Sequence, residues 1–534
     1  MTPSPNYNVL AVLQRVAAQF PDRPALIMAD GSITFGELWR RIGHAAAGLR
    51  RLGLSPGERA VVMIPMSIDL YVAMLAVLSV GAVAVFVDPW IGRRQIAAFA
   101  AFAEPHAWLG VPRSHLLRLL DRRLRAIPFA VTTGRRLGSL PARHTLAELE
   151  EAPGESEVQP VGEHDPALIT FTSGSSGEPK GANRTHRFLL AQHAALAAEF
   201  PAEEGDVDMP MFPVFALNNL ASGVPSVVPA MDFRRVDQVD GTRVLGQMRR
   251  HGVTTCTASP PFFDRLAAAV ESRPAERPAL RRILTGGAPV SDGQLRTWRR
   301  VFPEAEILVV YGSTEAEPVA HLTAEERLSA ENADRPRAPG FCAGRPGERL
   351  RAKLVRIHPE PIELAPGGWP DWELPAGEIG ELVVSGDHVC RDYYRNPEAV
   401  RENKIADAGG AVWHRMGDTG SFDRQGRFWL AGRVHSTIRR GGELVHPQLV
   451  EQAARGEDPR IRRIAAVGIP DAELGERVVL VAETAAEGFE DEIAGRLAAA
   501  DFSADKILLT AEPLPVDPRH NSKIDYGKLR ERLM

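Results

Sequence analysis

Apolar residues recur along this chain in two rhythms. Short, unbroken runs rich in valine and isoleucine stand at ERAVVMIP, AVAVFVDP, PALITFTSG, VPSVVPA, VTTCTAS, RRILTGG and EILVVYGS. Runs of that length without internal charge predict strands buried on both faces of a parallel sheet. Between them, ITFGELWRRIGHAAAGLRRLG and DQVDGTRVLGQMRRHG place their apolar residues at helical period. The alternation predicts an α/β fold, with a large N-terminal part of mixed and parallel sheets flanked by helices. Farther on, GEIGELVVSGDHV and RFWLAGRV alternate in the manner of antiparallel strands, which adds a β-structured portion.

Polar, Pro/Gly-rich stretches at 133–166, 323–340 and 358–377 read as surface excursions. A domain boundary is expected near Gly432-Arg433, giving an N-terminal unit 1–432 and a small, mobile α+β C-terminal unit 433–534. The uncharged stretch from Leu70 to Val87 spans 18 residues, the minimum for a membrane helix. Gly81 splits it into a helix-like half and a Val-rich half that ends at Asp88-Pro89, so a buried helix followed by a buried strand is expected. No integral membrane span is predicted.

The 534 residues are 44% apolar and 25% charged, the balance of a globular protein of several domains. A net charge of −5 with both signs interspersed argues against a nucleic-acid partner. Cys256, Cys342 and Cys390 are far apart and form neither a disulfide framework nor a zinc spacing. The N-terminus lacks the basic start and apolar core of a secretory signal, and a cytoplasmic location is expected.

Candidate chemistry enters with FTSGSSGEPKG, residues 171–181, directly after a predicted buried strand. Gly174 and Gly177 can turn the backbone and expose its N–H groups, while four hydroxyls and Lys180 add donors and charge. This is an anion nest, and it lacks the Gly-Lys-Ser/Thr of a Walker loop. VVYGSTEAEP places Glu315 after a second predicted strand, where a carboxylate near phosphate suits Mg²⁺. MGDTGSFDRQGRFWLAGR offers Asp418 for ribose hydroxyls, and HNSKID places Lys523 near the C-terminus.

Together these four segments resemble, in order and spacing, the motifs of the AMP-forming adenylating enzymes: acyl-CoA synthetases, luciferases and peptide-synthetase adenylation domains. The resemblance implies that Thr172, Ser173, Gly174, Ser175, Ser176, Gly177 and Lys180 hold the pyrophosphate end of ATP. It implies that Tyr311 stacks on adenine, that Gly286, Gly287 and Ala288 line the adenine pocket, and that Gly312 and Ser313 belong to the same segment. Thr314 would contact the α-phosphate, Glu315 would hold Mg²⁺, and Asp418 and Arg433 would bind ribose. Lys523 would bridge the acyl carboxylate and the α-phosphate. His435 falls where the family's hinge carries Asp or Lys, and Gly441, Gly442 and Glu443 match the segment that turns toward a thiol acceptor.

The acyl pocket is expected to draw on MFPVFALNNLASGVP, with Phe212, Val214, Phe215, Ala216 and Leu217 making it apolar. No Asp or Lys in that run stands ready for an amino group, so a hydrophobic acid is expected. The implied reaction is ATP-dependent activation of a fatty acid with pyrophosphate release, then transfer to CoA as co-substrate. FPVFALNNLASGVPSVVPAMDFRR and ILTGGAPVS are also similar to one subgroup, the ligase-like enzymes of olefin biosynthesis. Those close a long-chain β-hydroxy acyl-adenylate to a β-lactone without CoA, which is the alternative reading. A carrier protein or other pathway enzymes as acceptors, and a non-catalytic acyl or nucleotide binder, complete the set.

Overall fold

The computed structural model describes residues 6–87, 92–135, 142–151, 157–172, 179–233, 235–329, 340–456, 458–516 and 524–534. Among these residues the strands form three sheets, one of fourteen strands, one of seven and one of five. Helices cover the first two, giving the mixed α/β architecture that the alternation of runs predicts.

The uncharged stretch shows how the sequence builds the first layer. Ser67 caps the helix Ile68–Ser79 by accepting from the Leu70 amide, and every residue from Leu70 to Ser79 is buried. Gly81 then turns the chain at φ +79°, and Val83–Val87 enters the seven-stranded sheet between Arg59–Met63 and Pro166–Thr172. A helix apolar on all sides is stable there because the sheet covers one side and the helix Phe35–Arg51 another. Among the described residues, no helix is long and apolar enough to cross a membrane.

The seven-stranded sheet is parallel except for its last pair, where Pro166–Thr172 runs antiparallel to Lys180–Thr185. In the fourteen-stranded sheet, Asp208–Pro210, Thr255–Ala258, Arg282–Gly286 and Glu306–Ser313 are parallel neighbours. From Ala316–Thr323 onward the same sheet continues antiparallel, through Phe341–Pro346, Phe428–Arg433, Val412–Phe422, Gly380–Gly386 and Leu350–Val355. The carboxyl ends of both parallel sets open onto the same cleft. That edge is where ligands of open α/β sheets bind.

Arg433, paired with Asp418, is the last residue of its strand in the large sheet. The next strand, Ile438–Arg440, belongs to the five-stranded sheet with Glu443–Val445, Arg463–Asp471, Gly475–Glu483 and Lys506–Thr510. That sheet has its own apolar cores: the helices Pro447–Arg455 and Glu490–Ala499 cover one face, and the helix Tyr526–Leu533 covers the other.

Three stretches depart from the expectations, among them 323–340, where Ala324–Ser329 is a helix with Ala324 and Arg327 buried. VPSVVPA contributes only Ser226–Val227 as a strand, because Pro225 and Pro229 flank it and donate no ladder hydrogen bond. The excursion 133–166 contains a strand and a helix, His144–Thr145 and Leu146–Glu151. Thr145 and Glu148 cap one another's amides reciprocally. Leu146 and Leu149 are buried against the helix Phe35–Arg51, where Gly48 leaves the room that a larger residue would fill.

Candidate active site

The cleft encloses about 2950 Å³. That is several times the roughly 300–1,000 Å³ of an ordinary small-molecule pocket, so it can hold a nucleotide and a long acid together. Its floor is the end of the strand Glu306–Ser313, where the ladder with Ala316–Thr323 shifts register between Tyr311 and Ser313. Thr314 and Glu315 form the tip of that hairpin. Arg184 donates to the Thr314 carbonyl at 2.7 Å and the Cys390 amide to the Glu315 carbonyl at 2.7 Å, so the tip is fixed from both sides.

Tyr311, Asp418 and Arg433 form one unit. The Tyr311 hydroxyl donates to Oδ2 of Asp418 at 2.6 Å, and Nη1 of Arg433 donates to Oδ1 at 2.7 Å. Burial, reinforced by the Asp418 carboxylate, raises the Tyr311 phenol well above its usual range, so it remains a donor. Its ring packs against Phe428, with centroids 5.8 Å apart.

Beside it, Gly286 ends the neighbouring strand, and a Cβ there would lie 2.3 Å from the Val310 carbonyl oxygen. Only glycine lets these two strand ends approach so closely. Gly286, Gly287, Ala288, Gly312 and Ser313 all line the cleft. Ser313 Oγ and Thr285 Oγ1 are buried with no hydrogen-bond partner among the described residues, and both residues line the cleft. Buried hydroxyls without partners at one site fit a polar ligand.

Glu315 is the one carboxylate of the hairpin tip. Burial alone would raise its pKa, but His414, Lys404 and a 3.0 Å hydrogen bond from the Tyr393 hydroxyl outweigh that and hold it below the ordinary value. Lys404 is itself buried, donates to the Cys390 carbonyl at 2.5 Å and lies 5.0 Å from the Tyr393 ring centroid. An ionised carboxylate that lines the cleft fits Mg²⁺, which takes one or two carboxylates and completes its shell with phosphate and water.

Thr172 and Lys180 are register partners, and they close the two ends of the segment between them. Lys180 pairs with Glu402 at 3.1 Å and faces the cleft. Ser173, Gly174, Ser175, Ser176, Gly177 and Lys523 lie outside the described residues, as does the Thr172 side chain. His435 sits in the short turn Val434–Ser436 and lines the cleft. Gly441 and Gly442, at φ +59° and +87°, form the turn between Ile438–Arg440 and Glu443–Val445. This exposed hairpin end is not among the cleft's described lining.

The apolar arm of the cleft runs between two helices. Phe212, Val214, Phe215 and Leu217 come from the helix Pro213–Ser222 and its N-cap, and Met66, Leu70 and Met74 come from Ile68–Ser79 and the residues before it. The Tyr71 hydroxyl ties the two helices together by donating to the Pro213 carbonyl. Met63, Met211, Met231 and Phe233 extend the lining. Ala216 is a correction: it is fully buried in the core on the opposite face, one turn from Leu220, and does not line the cleft. The helical period of 3.6 turns it away from the face that carries Val214 and Leu217.

The sequence reading missed Tyr393, Lys404, His414 and Arg184. Each meets Thr314 or Glu315 from a distant part of the chain, Arg184 and Tyr393 by side-chain hydrogen bonds and Lys404 and His414 as electrostatic neighbours. Lys404 and His414 are register partners between two antiparallel strands. A lysine inside the otherwise strand-like NKIA was the one signal available.

The model of a family described as AMP-binding enzyme matches residues 13–394. The chain belongs to that family. An olefin β-lactone synthetase of Stenotrophomonas maltophilia (strain K279a) is 34% identical, with 98% of this chain and 97% of the relative covered. One from Xanthomonas campestris pv. campestris is 33% identical, with 98% and 96% covered. Among solved structures, ATP-bound MatB from Rhodopseudomonas palustris aligns at a TM-score of 0.80 and 23% identity over 99% of both chains, a likeness of fold. The protein is an AMP-forming acid ligase: it activates a carboxylic acid at the expense of ATP.

Proposed function

We propose that the chain activates a long-chain β-hydroxy acid and closes it to a β-lactone, with pyrophosphate and AMP as the other products. The observation that carries this reading is the end-to-end similarity to two olefin β-lactone synthetases. It favours the internal hydroxyl over CoA as the acceptor. The apolar arm supports it, since five methionines among its lining adapt to a flexible alkyl chain.

In the first step an oxygen of the acid's carboxylate attacks the α-phosphorus. The bond from that phosphorus to the pyrophosphate oxygen breaks, and an acyl-adenylate forms. Two anions must meet, so cationic groups have to offset their repulsion. Lys180 and the segment 172–177 hold the departing pyrophosphate, Arg433 and Asp418 hold the ribose, and Tyr311 packs on the adenine. Thr314 contacts the α-phosphate. Glu315 holds Mg²⁺, which when bound neutralises phosphate charge. Lys523, carried on a mobile unit 433–534 that turns about His435, brings the remaining positive charge.

In the second step the substrate's β-hydroxyl oxygen attacks the acyl carbon. The carbon–oxygen bond to AMP breaks, the hydroxyl proton leaves to solvent, and a four-membered ring closes. Both reacting groups already share one molecule, so binding that folds the chain toward itself supplies orientation rather than a second substrate. A second reading, transfer to CoA, rests on Gly441, Gly442 and Glu443, which keep the pattern of thioester-forming relatives.

Pyrophosphate release with a panel of short, long and β-hydroxylated acids, each with and without CoA, tests the proposal. AMP formation from a long β-hydroxy acid without CoA is the expected result. A strict requirement for CoA would move the assignment to the thioester reading.

A further inference from the structure

Five large apolar side chains are strongly exposed among the described residues, and three of them fall within five consecutive positions. Leu116, Leu119 and Leu120 are 49%, 52% and 53% exposed, and only Leu444 and Met534 join them. All three sit at the 3₁₀ helix Pro112–Leu119 and the residue that follows it. Looseness does not explain their exposure. The Trp108 indole donates to Ser114, Arg118 donates from within to the Leu124 carbonyl, and Leu124 is fully buried.

The surroundings carry one sign of charge. Arg113, Arg122, Arg123 and Arg125 are exposed around the leucines, and the one acid in the segment, Asp121, is taken by Arg123 at 2.9 Å. The whole chain is at −5, so this basic collar is a local feature. Leu116, Leu120 and the intervening Leu117 also line the cleft, which makes the patch the cleft's outer rim.

We propose that this rim docks on an anionic lipid surface, with the leucines entering the acyl boundary and the arginines at the headgroups. Apolar side chains collared by arginine are the composition of interfacial membrane contacts. Continuity with the cleft gives a membrane-dissolved acid a route that avoids water. The acid's long alkyl chain rests on the reading in the preceding subsection; the docking itself does not require turnover.

The test is flotation of the full chain with vesicles of phosphatidylcholine, alone or mixed with phosphatidylglycerol. The protein is expected to float with the anionic vesicles and not with the neutral ones. Leu119→Asp and the pair Arg122→Glu/Arg125→Glu, none of which lines the cleft, should each lower the partition roughly tenfold. Pyrophosphate release with a water-soluble acid should be unchanged in both, which also reports an intact fold. Absence of flotation with anionic vesicles, or flotation that neither variant alters, overturns the proposal. Concentration-dependent self-association that Leu119→Asp abolishes would assign the patch to a second copy instead and overturn it too. Flotation together with CoA-dependent product would leave the docking standing and remove the lactone reading.

Discussion

The Tyr311 hydroxyl donates to Asp418 at 2.6 Å, although the two residues are 107 positions apart. Arg433 takes the other oxygen of the same carboxylate. Asp418 therefore reaches the cleft already oriented, and Tyr311 both packs and positions. Tyr311→Phe keeps the ring and removes the tie. The apparent KM for ATP should rise roughly tenfold, with a smaller effect on kcat. Steady-state pyrophosphate release checks this, and an unchanged KM would contradict the positioning role.

Arg415 and Glu381 form a buried ion pair at 2.7 Å, and the same guanidinium donates to the carbonyls of His358, Glu360 and Glu402. Arg415→Met leaves Glu381 buried without its partner. Urea unfolding should show a loss of about 3–5 kcal/mol. The double variant with Glu381→Leu should recover part of it.

Asp208 is buried, and desolvation raises its carboxyl from 3.8 to about 6 despite hydrogen bonds from Asn219 and Thr255. The folded state thus binds the proton more tightly than the unfolded chain. Its contribution is fully present below pH 3.8 and is lost as pH rises through about 6. The difference is on the order of 3 kcal/mol. Asp208→Asn cannot ionise, so its stability relative to the parent protein should improve between about pH 4 and 7, a range that spans the ordinary and the folded-state values. Paired thermal melts across that range check the sign.

Met74 faces the apolar arm from the helix Ile68–Ser79. Met74→Trp adds bulk where the alkyl chain is expected to lie. kcat/KM for long acids should fall by about tenfold or more while short acids are spared, since a few methylenes each contribute about 0.8 kcal/mol. An equal loss for both lengths would indicate general damage to the cleft.

Much of the fold was legible because buried strands and helices leave periodic apolar traces. The stretch Leu70–Val87 resolved into helix and strand at the glycine that divides it. Tyr311, Glu315, Asp418 and Arg433 were legible for another reason: each stands in a short local string, on a strand or in the hairpin tip that follows one. What escaped was long-range. Tyr393 reaches Glu315 by a side-chain hydrogen bond, and Lys404 is the register partner of His414, contacts across the chain that no local window encodes. Ala216 was misassigned because a motif names a segment, while helical rotation decides which face of it meets the cleft. The helix Leu146–Glu151 was hidden in a polar stretch because its two buried leucines are too few to set a period.

The fate of the oxygens decides the central claim. A long β-hydroxy acid with heavy oxygen in both carboxylate positions, incubated with ATP and Mg²⁺ but no CoA, should give AMP carrying one heavy oxygen. The lactone should retain the other in its carbonyl, with an unlabelled ring oxygen from the hydroxyl. Unlabelled AMP, or no lactone until CoA is added, would contradict carboxylate activation followed by internal closure.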